Sequence, residues 1–457
     1  MKKSCIFIVV FTFVLLSFSW YGYFNQKKKL YAKYKEYISL AEKSIDDGLY
    51  LQAVENYYEA IKYANAESVC PLICDAYDAY YEEEPTEAVA ELYLTELDNL
   101  ITLCPTDPDL RYKQAMIYME YDKFYDAYDI VRFCVNSNVI NDDIEKLYKT
   151  LNYKTTISLS SYSDYHTSLN SYIIACDSQG EWILLDSTGE VAEGAEESSF
   201  TYISRINEDG LGLYVKTINP ESIDTELLEL TETNFISRLR YDFIISDSGV
   251  YDSSAKYINV KVDDKWFYIN SDKEQLDGEF DSASIFVDNQ AVVAQDDIWY
   301  TIDTSGDLTP LKNVEDVKLD LDLSYIQNGV ILAKVDGKYK VCDTNFDPVS
   351  KFEADDIDLC LSADSYIAYE ADGLWGFVDV NGEVVIEPQY TCAKSFSNGF
   401  AAVCNEEGLW GYIDVDNELA IDYQFAEAGY FNDKRVSIVL ETDSPYYSFL
   451  GFLFSEE

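Results

Sequence analysis

Three patterns of apolar and polar positions follow one another along the chain. The first is an uncharged, mostly apolar run of 20 residues, Cys5 to Phe24. As a helix rising 1.5 Å per residue it would span about 30 Å, the thickness of a bilayer's hydrocarbon core, so residues 1–29 are expected to be a transmembrane anchor. Trp20, Tyr21 and Tyr23 at its distal end suit a membrane interface. The alternative is a cleaved signal peptide with Ser17 and Ser19 before the cut; the unbroken run past Ser19 and the cluster Lys27, Lys28, Lys29 favour the anchor. The second pattern, over residues 30–152, has apolar and small residues at helical spacing. One set is Ala41, Gly48-Leu49-Tyr50, Ala53, Tyr57 and Ala60; another is Ala115, Tyr118, Phe124-Tyr125, Ala127, Val131 and Cys134. Small residues at a helix crossing let two backbones approach. Pro105 and Pro108 punctuate a connection, and Glu82-Glu83-Glu84-Pro85 separates the helices of an irregular middle pair. Three helix pairs are predicted. The third pattern, over residues 153–457, alternates with period two and predicts short strands.

Within that third region a marker recurs: an aromatic residue, Asp or Asn four places on, and an acid eight places on. The copies are Trp182/Asp186/Glu190, Trp266/Asn270/Glu274, Trp299/Asp303/Asp307, Tyr339/Asp343/Asp347, Trp375/Asp379/Glu383 and Trp410/Asp414/Glu418. A spacing of roughly 33 to 42 residues marks a repeat built from one supersecondary unit. Leu374-Trp375-Gly376-Phe377-Val378-Asp379 overlays Leu409-Trp410-Gly411-Tyr412-Ile413-Asp414. In the last full unit strands are expected at Ala401 to Cys404, Leu409 to Asp414 and Glu418 to Gln424, with a weaker piece near Ala428 to Phe431. Asp-x-x-Gly-Glu reads as a hairpin turn in which Asp caps and Gly or Asn supplies a positive φ. Trp375 and Phe377 share one strand face, and the absent side chain at Gly376 suits closely stacked sheets. A degenerate seventh unit is placed between Gly212 and Tyr251, with Leu227 at the aromatic position. About seven units of short strands predict an all-β domain like a β-propeller, which hides its edges by closure. An early strand (Ile157 to Tyr162 or Tyr172 to Cys176) would pair with Val436 to Leu440 or Ser448 to Phe454. An open row of hairpins is the competing architecture.

Two resemblances attach to these residues. The alanine and aromatic sets of residues 30–152 resemble the tetratricopeptide repeat, which implies a groove for a peptide or protein, or a stalk. The Trp375-Gly376 and Trp410-Gly411 units closely resemble the WG repeat family of bacterial proteins. Earlier copies depart from it: Ile183, Phe267 and Tyr300 replace the Gly, and Tyr339 replaces the Trp. That resemblance implies a binding or scaffold module and carries no catalytic motif to transfer.

Composition sharpens the picture. The chain holds 84 acids against 33 bases, a formal net charge of -51. Nucleic acid, a polyanion, is therefore excluded as a partner. After Thr150, 59 acids face 18 bases, so the anionic surface is mostly on the repeats. Cys70 and Cys74 are four apart, which is neither a zinc-knuckle nor a redox-motif spacing, and the ten cysteines read as buried thiols without a framework. His166 is the one histidine. No phosphate loop or dinucleotide glycine pattern is present. Asp316, Asp320 and Asp322, or Asp355, Asp356 and Asp358, offer oxygen ligands for weak Ca²⁺ binding, but neither group has the EF-hand pattern, so no metal site is assigned.

These readings lead to a multidomain, non-enzymatic protein with no cofactor and no catalytic residue to name. A single-pass anchor in the cell membrane is expected, with the bulk of the chain outside; the lysines after the run argue for the inside. The expected task is that of a bacterial envelope scaffold in which a helical stalk presents an acidic β domain to a protein or a cell-surface glycan. The alternatives are a carbohydrate-active hydrolase on a propeller and an inward-facing tethered scaffold.

Overall fold

The computed structural model describes residues 25–158, 161–166, 173–186, 191–192, 256–262, 265–270, 274–321, 323–362, 366–433 and 435–454, and the backbone of four strands between 202 and 241. The chain divides into Met1–Leu151, helical over its described residues, and Asn152–Glu457, β-rich over its described residues.

The expectation of a single-pass membrane anchor is corrected. Among the described residues no helix is long and apolar enough to cross a membrane. The first described helix, α1 over residues 25–46, carries Lys27, Lys28, Lys29, Lys33, Lys35, Glu36, Glu42 and Lys43, too many charges for a hydrocarbon core. The run Cys5 to Phe24 lies outside the described residues.

After α1 come α2 (Tyr50–Ile61), α3 (Cys70–Glu83), α4 (Glu87–Leu103), α5 (Pro108–Glu120), α6 (Phe124–Asn136) and α7 (Asp142–Asn152). The starts follow capping chemistry. Thr86 accepts from Val89 N ahead of α4, and Asp107 accepts from Asp109 N ahead of α5, with Pro108 at the first position. Consecutive helices from α2 to α6 pack on one another. The alanines that mark the pattern, Ala41, Ala53, Ala115 and Ala127, are all fully buried. Ala41 and Ala53 share one apolar cluster with Tyr57, Tyr77 and Leu97.

The β domain is a succession of antiparallel units. Unit 1 is Asp164–His166, Ile173–Cys176 and Trp182–Leu185; unit 2 is Tyr202–Ile203, Leu211–Asn219, Ser222–Thr231 and Asn234–Tyr241. Unit 3 contains Ile258–Val262 and Lys265–Ile269; unit 4 is Ser282–Ala283, Gln290–Gln295, Ile298–Asp303 and Leu308–Pro310. Unit 5 is Val314–Val317, Ile331–Val335 and Lys338–Cys342; unit 6 is Asp356–Ile357, Ile367–Ala371, Leu374–Val378 and Val384–Tyr390. Unit 7 is Cys392–Ala393, Phe400–Cys404, Trp410–Asp414 and Leu419–Ala428. A four-stranded sheet thus lies where the degenerate copy was placed, and Leu227 is on its third strand.

Among the described residues a further unit, the eighth in this series, is assembled from both ends of the domain and continues the sheet of unit 7. The end of Leu419–Ala428 leaves unit 7 and pairs with Val436–Glu441, which pairs with Tyr447–Phe452. The outer place is filled by Thr155–Ile157, antiparallel to Leu450–Phe452. This unit has no aromatic–Asp–acid marker, since its outer strand arrives from the other end of the domain. Its face then packs on unit 1, where Ile438 and Phe449 meet Tyr162, Ile173 and Leu185. Comparable apolar clusters join units 3 and 4, 4 and 5, 5 and 6, 6 and 7, and 7 and 8. The domain is β-propeller-like on these grounds, with its terminal edge strand covered by pairing.

The strand faces follow the period-two pattern. In unit 6, Phe377 packs toward Ala393 and Phe396 of unit 7, while Val378 packs toward unit 5. Gly376 has a different role from the one expected. The outer strand bulges there: Trp375 is opposite Tyr390 and Phe377 opposite Ile386. A Cβ on Gly376 would lie 2.4 Å from Ile386 O and 2.7 Å from Pro388 N. Gly411 faces the equivalent bulge at Ile421–Tyr423. The glycine admits its own neighbouring strand rather than a neighbouring sheet.

Candidate functional site

In the helical domain the turn from α1 to α2 builds a small cavity. Gly48 has φ +71°, Leu49 N donates to Ser44 O and Gly48 N donates to Ile45 O, which is the Schellman ending of α1. The motif turns the chain so that Leu49 and Leu51 stay 51% and 49% exposed. Tyr50 between them stacks on Tyr80 of α3 at 5.6 Å, and its hydroxyl donates to Glu83 Oε2 at 2.7 Å. That bond to a carboxylate holds the Tyr50 phenol above its ordinary pKa, with Glu82 adding to the effect. The cavity, of about 250 Å³, is lined by Gly48, Leu49, Tyr50, Leu51, Gln52 and Tyr80. It is smaller than a typical cofactor site and suits one large side chain. An acidic stretch, Glu82-Glu83-Glu84, stands beside its Tyr50–Tyr80 wall.

In the β domain the notable charges lie near the first strands of units 5 to 8. Lys318 Nζ is 2.9 Å from Asp356 Oδ1, tying unit 5 to unit 6. Asp358 accepts from Ser395 N at 2.6 Å in unit 7 and from the Tyr430 hydroxyl at 2.8 Å in unit 8. Desolvation raises the Asp358 pKa, with these hydrogen bonds opposing the shift. Lys394 lies over the rings of Trp410 and Tyr430, 5.7 and 5.5 Å from their centroids. Desolvation lowers its pKa, and Glu427 and Asp358 oppose that. Glu427 in turn accepts from the Tyr447 hydroxyl at 3.0 Å. A perturbed acid beside a perturbed base is a pattern met at functional sites. Here the hydrogen bonds of Asp358 are inter-unit ties, and they join neighbours that are far apart in sequence.

The acids singled out by the repeat marker are turn groups. Asp379 Oδ1 accepts from Asn381 N and Glu383 N, at 2.9 and 2.8 Å. Asp414, Asp343 and Asp303 repeat the arrangement. Asn270 Oδ1 accepts from Glu274 N at 2.8 Å. The proposed Ca²⁺ acids have separate partners. Asp316 accepts from the Tyr339 hydroxyl, Asp320 from Ser324 N, Asp355 pairs with Lys338 and Asp356 with Lys318. Asp322 lies outside the described residues. Among the described residues no group of three or more His, Cys, Asp or Glu is placed to hold a metal ion. His166 ends a strand of unit 1 whose partner residue is Ile174; its side chain lies outside the described residues.

Two inter-unit contacts escaped the sequence reading although a signal was present. Asn328-Gly329 and Asn398-Gly399 both have positive φ at each residue, the geometry of a type I′ hairpin. The asparagine of each then reaches the next unit: Asn328 Nδ2 donates to Cys360 O at 2.8 Å, and Asn398 Nδ2 to Phe431 O at 3.0 Å. The Asn-Gly pairs announce the turns; the reach to the next unit is not local and has no sequence mark.

Comparison with known proteins agrees with the repeat reading. The family described as WG containing repeat matches residues 375–408 and 410–440. No curated protein matches the chain. Among solved structures, the chain is similar to BamB from Moraxella catarrhalis at 12% identity and a TM-score of 0.43, covering 66% of this chain and 99% of that one. It is also similar to the WD40 β-propeller domain of Doa1, at 13% identity and a TM-score of 0.30, covering 65% and 97%. Kluyveromyces lactis Hsv2p is a third, at 12% identity and a TM-score of 0.36, covering 57% and 96%.

Proposed function

We propose that this protein is a non-enzymatic binding scaffold with two interaction modules: a tetratricopeptide-like helical domain and an eight-unit, propeller-like WG repeat domain. The observation that carries the proposal is the α1–α2 cavity. Two half-exposed leucines flank a Tyr–Tyr wall with room for one side chain, and Glu82, Glu83 and Glu84 stand at its edge. Such a site takes a protein segment with one large apolar side chain and a basic neighbour. The β domain supplies a broad anionic face, which draws basic partners toward the same molecule by long-range attraction.

The test is an array of short peptides carrying Leu or Phe flanked by Lys or Arg, with acid-flanked controls, read by fluorescence anisotropy on the full chain. Base-flanked peptides should bind, and Leu51→Asp should weaken them at least tenfold. Equal binding of both peptide classes, or an unchanged affinity in Leu51→Asp, would reject the reading. Retention of polysaccharides together with failure of every peptide would turn the search toward glycans.

A further inference from the structure

The helical domain brings together two cysteines that sequence spacing holds apart. Cys70 opens α3 and Cys104 follows the last residue of α4, 34 positions later. Their sulfurs lie 2.8 Å apart, and the residues are 0% and 4% exposed. The short connection through Glu84 and Thr86 ties the far ends of the two helices, so the cysteines meet at the open end of the hairpin. Around them stand Val69, Ile73 and Leu100, all fully buried in the same apolar cluster. Cys74, one turn further along α3, is also buried; its carbonyl accepts from the Tyr93 hydroxyl at 3.3 Å.

We propose that Cys70 and Cys104 form a disulfide when the chain folds in the presence of a small dialkyl disulfide, clasping the open end of the α3–α4 hairpin. One cysteine thiolate attacks a sulfur of the small disulfide, forms a mixed disulfide and expels one small thiolate. The second cysteine then attacks the protein sulfur of that mixed disulfide and expels the other. The two cysteines together lose two electrons, the small disulfide gains two, and the two protons leave on the two small thiols. Burial, with the Cys104 contact adding to it, pushes the Cys70 thiol up to about 12, so it is a poor nucleophile once folded. Exchange therefore belongs to the stage before α3 and α4 dock, and docking then shields the bond. Closing a loop of this length in the unfolded chain favours the folded helical domain.

The test refolds the full, reduced chain from guanidinium into a mixture of reduced and oxidised glutathione, blocks free thiols with iodoacetamide, and maps the fragments. A trypsin fragment would hold all three cysteines, because no Lys or Arg lies between Lys62 and Arg111. Glu-specific cleavage parts Cys104 from a fragment that holds both Cys70 and Cys74, since Glu82 to Glu84, Glu87, Glu91 and Glu96 lie between Cys74 and Cys104, and tandem mass spectrometry of that fragment assigns the linked and the alkylated cysteine. The expected product is a Cys70 fragment joined to a Cys104 fragment, released by dithiothreitol, with Cys74 alkylated. The same link should persist in Cys74→Ser. Recovery of both Cys70 and Cys104 as alkylated residues would overturn the proposal, as would a link made through Cys74.

Discussion

Units 4 and 6 of the β domain build the same strand pair with different outer strands. In unit 6 the outer strand bulges, Trp375 pairs with Tyr390, and the position between Trp375 and Phe377 has room only for Gly376. In unit 4 the outer strand runs in unbroken register, with Tyr300 opposite Pro310 and Thr301 opposite Thr309, and a full tyrosine occupies the glycine's place. The tryptophans differ as well. Trp299 is 6% exposed and belongs to the core shared with unit 5. Trp375 and Trp410 are only half-buried. The Trp-Gly pair therefore does not mark the best-packed tryptophans; its glycine marks a bulged outer strand.

Substitutions can break this comparison. The largest loss is expected for Trp299→Ala, about 3–5 kcal/mol, from the cavity and the lost apolar burial. Trp410→Ala should cost clearly less, about 1–2 kcal/mol, because part of its ring already meets solvent. Denaturant unfolding followed by far-UV circular dichroism ranks the two, and equal losses would remove the distinction. Next comes Gly376→Ala, expected to destabilise by about 3 kcal/mol because the new methyl meets backbone that the bulge holds in place. Gly411→Ala should cost somewhat less, its nearest backbone atom being 2.6 Å away instead of 2.4 Å. If Gly376→Ala proves neutral in the same unfolding measurement, the bulge does not impose the glycine.

A smaller effect is expected at the turns. Asp379→Ala frees two backbone N–H groups and should cost about 1 kcal/mol. Asp303→Ala should lose a similar amount, since the turn is common to bulged and regular units. The smallest effect concerns pH. Folding raises the Asp358 pKa, so its contribution is fully present below the ordinary carboxylate pKa and is lost as pH rises through the raised value. The stability of wild type relative to Asp358→Asn should thus be greatest in acid and decline toward neutrality. A melting-temperature difference that stays flat with pH would show that the carboxyl is not perturbed in this way.

How much was legible follows the same division. The hairpin turns were readable because Asp379 and Glu383 interact within five residues, and the strand positions followed because side chains alternate over the same short range. The packing alanines of the helical domain were readable for an equally local reason, the helical spacing around Ala41 and Ala53. The α1–α2 cavity was only half visible. Gly48-Leu49-Tyr50 stood out as a break between helices, but the wall supplied by Tyr80 lies 30 residues away. Asp358 stood out only as one of three neighbouring acids offering oxygen to a weakly held Ca²⁺, because nothing local signals that Ser395 and Tyr430 claim it.

By itself the sequence determined the division into a helical and a β-rich part, the repeat and its period, the turn chemistry and the excess of negative charge. Each depends on composition or on residues within about one turn or one hairpin of each other, where backbone geometry ties spacing to position. An early strand beside Ser448 to Phe454 was also expected, and Ile157 does pair with Leu450; tertiary structure alone decided that its register sets Thr155 opposite Phe452, that Gly376 makes way for a bulge, and that Cys70 meets Cys104. Those contacts join residues separated by ten to almost three hundred positions. Neither partner carries a local mark of the other, and only the folding of the intervening chain brings them together.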